Sequence, residues 1–220
     1  MDYWKFESLL KENALYLCRA DRLQDRFEGA YSRAQLFDMN TRLESIGVPK
    51  VIETERQKRI RDRNRTYISC WCVSDCDLDL MWKAYIRRPP GIAISSTVRR
   101  LQQLCDKTPM FWPLDISLVR YFDHAGGQHI NYSRTPGIFF YKDLHFRLDN
   151  ELRIVYWPNM IPPTPDHVLL PVSLTDLIVS VVLTPHAPDL YVRGTREALD
   201  GIGLKSVPAE FSRDDRDLIE

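Results

Sequence analysis

The segment Y-K-D-L-H-F-R-L-D-N-E-L-R-I-V-Y-W, residues Tyr141–Trp157, limits the fold more than any other stretch of the chain. Its second half alternates charged with apolar residues, the period of a β-strand and not of a helix. Read as a strand from about Asn150, it puts Asp149, Glu151 and Arg153 on one face. Leu152, Ile154 and, if the strand runs that far, Tyr156 share the other. The apolar face predicts core packing. The charged face predicts an ion-pair ladder or a site, because a carboxylate beside an arginine serves as a structural pair or as a catalytic group held ionised.

Around this strand the rest of the chain reads as α+β: a single domain spanning 1–220, with a mixed or antiparallel sheet and flanking helices. Phe6, Leu9 and Leu10 recur at helical spacing, and that helix should stop near Asn13, where A-L-Y-L-C begins a strand. A charged loop closed by Gly29 follows. Between about 32 and 64 lies a charged helical excursion, in which V-I-E-T-E-R-Q-K-R-I-R-D-R-N carries one thin apolar stripe. Strands are predicted from about Thr66 to Val73, at G-I-A-I-S-S, near Leu118–Phe122 and at Leu177–Leu183. Helices are predicted at D-L-M-W-K-A-Y, capped by Asp75 or Asp77, at T-V-R-R-L-Q-Q-L-C, capped by Ser96 or Thr97, and near Asp189–Leu199. P-N-M-I-P-P-T-P-D is a stiff connector.

The 220 residues contain 30 basic and 30 acidic side chains. Zero net charge gives no long-range reason to expect a nucleic-acid or membrane partner, although local patches remain open. The apolar run Leu177–Leu183 is far shorter than the roughly 20 residues that cross a bilayer. The N-terminus lacks the basic start and apolar core of a secretory signal, which predicts a cytoplasmic protein. Five cysteines, an odd number, fit a reducing compartment.

Cys70, Cys72 and Cys76 invite a zinc reading, but no paired C-x-x-C stands elsewhere, and Cys18 and Cys105 are isolated. Buried thiols, and no metal, are expected. His124 and His129 flank an A-G-G-Q turn and have the chemistry of metal ligands or of an acid and base. Without a nearby carboxylate cluster they read as surface residues. Arg56, Lys58, Arg59, Arg61, Arg63 and Arg65 have the charge to meet phosphates, but the interleaved Glu53, Glu55 and Asp62 favour a solvated face. Trp82 and Tyr85 share a helical face, as core packing or as a stacking surface for a purine or nicotinamide ring. Asp25 and Glu28 in the early loop, with Asp149 and Glu151 in the late segment, complete the candidate carboxylates.

Several of these pieces together resemble a bacterial family. K-F-E-S-L-L-K-E-N-A-L-Y-L-C-R-A-D-R-L-Q-D-R-F-E-G, then S-C-W-C, L-M-W-K-A-Y and G-I-A-I, then V-R-Y-F-D and K-D-L-H-F-R-L-D-N-E-L-R, are similar in order and spacing to the domain of unknown function 2971 family. The resemblance runs from the first residues to about Pro185. Arg26 stands where the family usually shows proline. Members commonly carry a short aromatic and basic strand ahead of the position where this chain begins, so the resemblance implies an N-terminal element missing here or supplied by another chain. More loosely, the arrangement is similar to ADP-ribosyltransferase-like folds, which implies a nucleotide, NAD foremost, as substrate, and a bacterial defence or toxin setting. By that likeness Glu151, Asp149 and Ser69 are the catalytic candidates. Trp82, Tyr85, Arg153, Asp25, Glu28 and Lys142 are the substrate-binding ones. Glu151 would stabilise positive charge developing on the ribose as nicotinamide leaves.

Two other readings stand beside this one. Asp25, Glu28, Asp149 and Glu151 as ligands of Mg²⁺ or Mn²⁺ would make a metal-dependent nuclease, since carboxylates suit hard ions. In the third reading the protein is no enzyme: its carboxylates lock the fold, and the charged stretch 32–64 meets a protein partner.

Overall fold

The computed structural model describes residues 1–45, 51–74, 79–110, 113–131, 135–158 and 164–212. The architecture is α+β, with sheets both mixed and antiparallel. Helix α1 (Tyr3–Glu12) buries Phe6, Leu9 and Leu10 and ends at Asn13, whose φ of 48° is left-handed, a conformation asparagine tolerates. Strand β1 (Ala14–Arg19) leads through a 3₁₀ turn (Ala20–Arg22) into the loop that Gly29 closes. Gly29 has φ 68°, and a Cβ there would stand 2.8 Å from the Phe139 ring, so both conformation and space call for glycine.

The charged excursion consists of α2 (Arg33–Glu44), which Ser32 caps by accepting from the Gln35 amide, and α3 (Val51–Arg63). No residue of α2 is buried, so its stability comes from propensity and its contacts with α3 more than from a core-facing stripe. Strand β2 (Tyr67–Cys72), helix α4 (Asp79–Tyr85) and strand β3 (Ile92–Ser95) follow. The expected caps Asp75 and Asp77 lie outside the described residues, as does most of the proline-rich connector. In α5 (Val98–Lys107) the Thr97 hydroxyl accepts from the Arg100 amide, and Leu101, Leu104 and Cys105 form the buried stripe.

The predicted strand near Leu118–Phe122 is two strands, β4 (Leu114–Leu118) and β5 (Arg120–Phe122). The chain changes partners between them: β4 pairs with the late strand, and β5 runs parallel to β6 (Tyr141–Asp143). A 3₁₀ stretch (Leu144–Asp149) then precedes β7 (Glu151–Tyr156). Asp149 therefore closes a helical turn and is not part of the strand, while Asn150 takes a left-handed φ of 41°. The predicted strand at Leu177–Leu183 also divides. Ser173 caps the short α6 (Leu174–Leu177), and β9 (Ser180–Leu183) starts after it. Strands β8 (His167–Pro171) and β10 (Ala209–Phe211) had no clear alternating pattern to announce them, and α7 (Asp189–Gly201) occupies the predicted last helix.

The chain forms two compact units built from discontinuous segments. The first comprises Met1–Leu15, Ser74–Thr108 and Leu169–Glu220. Its sheet has the order β10-β9-β3, with β10 parallel and β3 antiparallel to β9. Ile92, Val181, Leu183, Leu177, Phe6 and Leu199 are among its buried residues. The second comprises Tyr16–Val73 and Pro109–Val168 and holds most of the five-stranded sheet β4-β7-β2-β1-β8. There Ala20, Ile68, Ile138, Phe139 and Val155 form a hydrophobic cluster. All six residues of β7 are buried. Both faces of this strand are covered, so its charged residues must find partners inside the protein.

Candidate functional site

Antiparallel pairing of β2 with β7 sets Cys70 opposite Arg153, Cys72 opposite Glu151 and Ser69 opposite Ile154. Directly opposed residues project to the same side of a sheet. Glu151 and Arg153 thus share a face with Cys70 and Cys72, while Ser69 lies on the other face beside Ile154. The three proposed catalytic residues are not brought together: Ser69 is separated from Glu151 by the sheet.

What the shared face does hold is a chain of buried charges centred on Arg153, which is 1% exposed. Its Nε donates to Glu151 Oε2 at 2.6 Å. Nη1 and Nη2 grip Glu28 through Oε1 at 2.6 Å and Oε2 at 3.1 Å, the bidentate fork in which guanidinium and carboxylate fit best. Nη1 also donates to the Phe139 carbonyl at 2.5 Å. The β7 strand, the Gly29 loop and the Phe139 turn are thereby tied to one side chain.

Lys142 on β6 extends the chain. Its ammonium donates to Glu151 Oε1 and, at 2.7 Å, to Asp149 Oδ2, and it sits 4.3 Å from the Phe146 ring centroid. Parallel pairing places Lys142 next to Tyr121, whose hydroxyl accepts from the Glu151 amide at 2.8 Å. Burial works against the Glu151 carboxylate, but Arg153 and then Lys142 outweigh it and hold its pKa below the usual glutamate value. Burial likewise works against the Arg153 cation, and Glu28 overcomes it, raising the pKa well above that of ordinary arginine. Lys142 is raised too, with Glu151 and Asp149 overcoming burial. Glu28 goes the other way: burial raises it, and Arg153 offsets only part of that.

Of the remaining predicted residues, Asp25 is buried, and its Oδ1 accepts from the Phe27 amide at 2.8 Å, while its buried Oδ2 has no hydrogen-bond partner. Trp82 and Tyr85 belong to α4 in the first unit, whereas Glu151 belongs to the second. Trp82 Nε1 donates to the Ser212 hydroxyl at 3.0 Å, and Tyr85 is 42% exposed. The guanidinium of Arg153 stands between Glu28 and Glu151, two of the four acids a divalent ion would need. Among the described residues no group of three or more His, Cys, Asp or Glu side chains is placed to hold a metal ion.

Two sequence expectations fail here. His124 is buried, not a surface residue, and its Nδ1 lies 3.1 Å from Asp143 Oδ2, with the ring 4.1 Å from that of Phe122. Asp143 Oδ1 meets Nδ1 of the exposed His145 and accepts the His145 amide at 3.0 Å. Burial raises the Asp143 carboxyl, but these hydrogen bonds, the amide first, lower it to about 2. No local pattern announced the pair, since its members stand 19 residues apart. The thiols are not uniformly buried either: among the described cysteines Cys105 is buried, Cys18 and Cys72 are half-buried and Cys70 is exposed, while Cys76 lies outside the described residues.

Fold and site together define an α+β protein with a largely buried network of paired acids and bases. Comparison with known proteins gave no matching family model, no matching curated protein and no matching solved structure. Among the described residues no helix is long and apolar enough to cross a membrane.

Proposed function

We propose that this protein acts by binding and not by chemistry at Glu151, with the network locking the second unit and the charged segment 32–64 meeting a protein partner. One observation carries the reading. Both Glu151 oxygens are engaged by cations, and Arg153 makes four hydrogen bonds inside the protein. A catalytic carboxylate must keep an oxygen for its substrate, whereas a lock uses both. Outside the network, α2 exposes Phe37 at 69% amid its charged residues, an aromatic anchor of the kind interfaces employ. Replacing Glu151 by Gln tests the reading. Breaking a buried pair costs about 3–5 kcal/mol, so a sharp drop in melting temperature is expected, and an unchanged one contradicts the lock.

One observation favours a second reading, NAD binding with transfer or cleavage of ADP-ribose. The network has three carboxylates, Glu28, Asp149 and Glu151, against two cations, Lys142 and Arg153. The surplus negative charge would stabilise a cationic ribose. This reading also draws on the resemblance to the domain of unknown function 2971 family and to ADP-ribosyltransferase-like folds, with the cytoplasmic and bacterial-defence setting they imply. Nicotinamide release on incubation with NAD would support it. Intact NAD, with no thermal shift on its addition, would remove it. For the nuclease reading, the Arg153 cation already occupies the place between two of its ligands.

A further inference from the structure

Helix α3 lies in the segment assigned above to a protein partner, and it carries a feature that neither reading explains. Arg56, Arg59 and Arg63 stand at i, i+3 and i+7, which sets them on one helical face over a span of about 10 Å. The sequence alone suggested a solvated charged face, and part of the helix fits that: Lys58 and Asp62 pair at 2.8 Å, four residues apart. Arg56 is exposed and fits it too, but the other two members of the arginine row do not. Arg59 and Arg63 are half-buried, and the Nε atoms of both are buried without an acceptor.

Arg63 is oriented by the early loop. Its Nη1 donates to the Arg26 carbonyl at 3.1 Å, and its Nη2 to those of Ala20 at 3.4 Å and Asp25 at 3.5 Å. These contacts satisfy donors but supply no counter-ion. Arg59 has neither a hydrogen bond nor an ion pair among the described residues. Burial lowers its pKa, its neighbours Arg63 and Arg56 lower it further, and Asp25 offsets them only in part. Beside it Asp25 Oδ2 is buried with no donor. Buried polar groups are nearly always satisfied, and a half-buried cation crowded by like charges is a site short of an anion. Arginine rows provide that for phosphate, whose oxygens match the planar fork.

We propose that Arg56, Arg59 and Arg63 of α3 form a binding site for the phosphate of a small phosphorylated ligand. Asp25 Oδ2 accepts a hydroxyl of the same ligand. A small ligand is favoured over a nucleic-acid backbone because the row is short and partly recessed, and because the chain as a whole carries no net charge, whereas backbone binding rests on extended exposed positive charge. The site is independent of any chemistry at Glu151, and because α3 belongs to the segment 32–64, a protein partner there would share its surface with the ligand.

The test is thermal shift and calorimetric titration of the full chain with inorganic phosphate, ADP, adenosine and a short oligouridylate. Stabilisation by ADP, less by phosphate and none by adenosine is expected. Arg59→Gln should weaken ADP binding at least tenfold and Arg59→Lys less, because lysine keeps the charge but loses the fork. Arg42→Gln, an exposed arginine on α2, should leave binding unchanged. No response to ADP or phosphate overturns the proposal, and so does an Arg59-dependent response to the oligouridylate alone, which marks a nucleic-acid surface. If Arg59→Gln and Asp25→Asn each lower the melting temperature of the ligand-free protein equally while ADP has no effect, Arg59 serves as the Asp25 counter-ion, and the proposal also fails.

Discussion

Replacing Arg153 by Met asks how much of the second unit hangs on one side chain. Methionine is similar in length and apolar, so it fills most of the space but leaves four acceptor contacts empty: two on Glu28, one on Glu151 and the Phe139 carbonyl. Glu151 keeps Lys142, so the main damage falls on Glu28, which is 1% exposed and retains no other ion pair among the described residues. An uncompensated buried charge of this kind costs about 3–5 kcal/mol. At about 2–4 °C per kcal/mol for a chain of this size, the melting temperature should fall by roughly 6–20 °C. The second half of the experiment is Arg153→Met combined with Glu28→Met. Removing both members of a buried pair is often close to neutral, since desolvation is relieved as the attraction is lost, and the double variant should recover most of the loss. Urea unfolding followed by tryptophan fluorescence reads both, Trp71 and Trp157 lying in the second unit. A single variant within about 1 kcal/mol of wild type would refute the reasoning, as would a double variant worse than the single one.

Three further outcomes follow from other parts of the structure. Gly29→Ala places a Cβ 2.8 Å from the Phe139 ring at φ 68°, so it should destabilise by more than about 1 kcal/mol, measured by the same unfolding curves. Thr97→Ala removes the hydroxyl that accepts the Arg100 amide and should cost about 1 kcal/mol, with Thr97→Ser restoring it. The Asp143 carboxyl is depressed from 3.8 to about 2 in the folded protein, so the folded state binds fewer protons than the unfolded one between these values. Its contribution is present above pH 3.8 and lost as pH falls toward 2. His124→Phe should raise this pKa and reduce that acid sensitivity, read by carboxyl NMR titration.

Much of this architecture was legible because period and punctuation agreed. α1 with its Asn13 stop, β2, the Thr97-capped α5 and the core of β7 each combined a clear apolar spacing with a local boundary signal. Legibility failed where tertiary partners decided the outcome. Nothing local marks Val119 as the point where the chain leaves β7 for β6, and the exposed pattern of β8 gives little apolar alternation to read. For the candidate site, the alternation of Glu151 and Arg153 correctly put both on one face. It could not show that Glu28, 125 residues away, would claim the other side of the guanidinium. Ser69 illustrates the same limit: only the β2–β7 register decides which face it occupies, and a shift of one residue would have reversed it.

Hydrogen exchange of the Glu151→Gln variant against wild type, read peptide by peptide under native conditions, tests most directly whether this network is a lock. The account predicts faster exchange concentrated in the segments it ties down, residues 25–30, 137–143 and β7, with the α5 and α7 peptides of the first unit unchanged. Exchange equal to wild type across those segments would contradict it and leave Glu151 without a structural role.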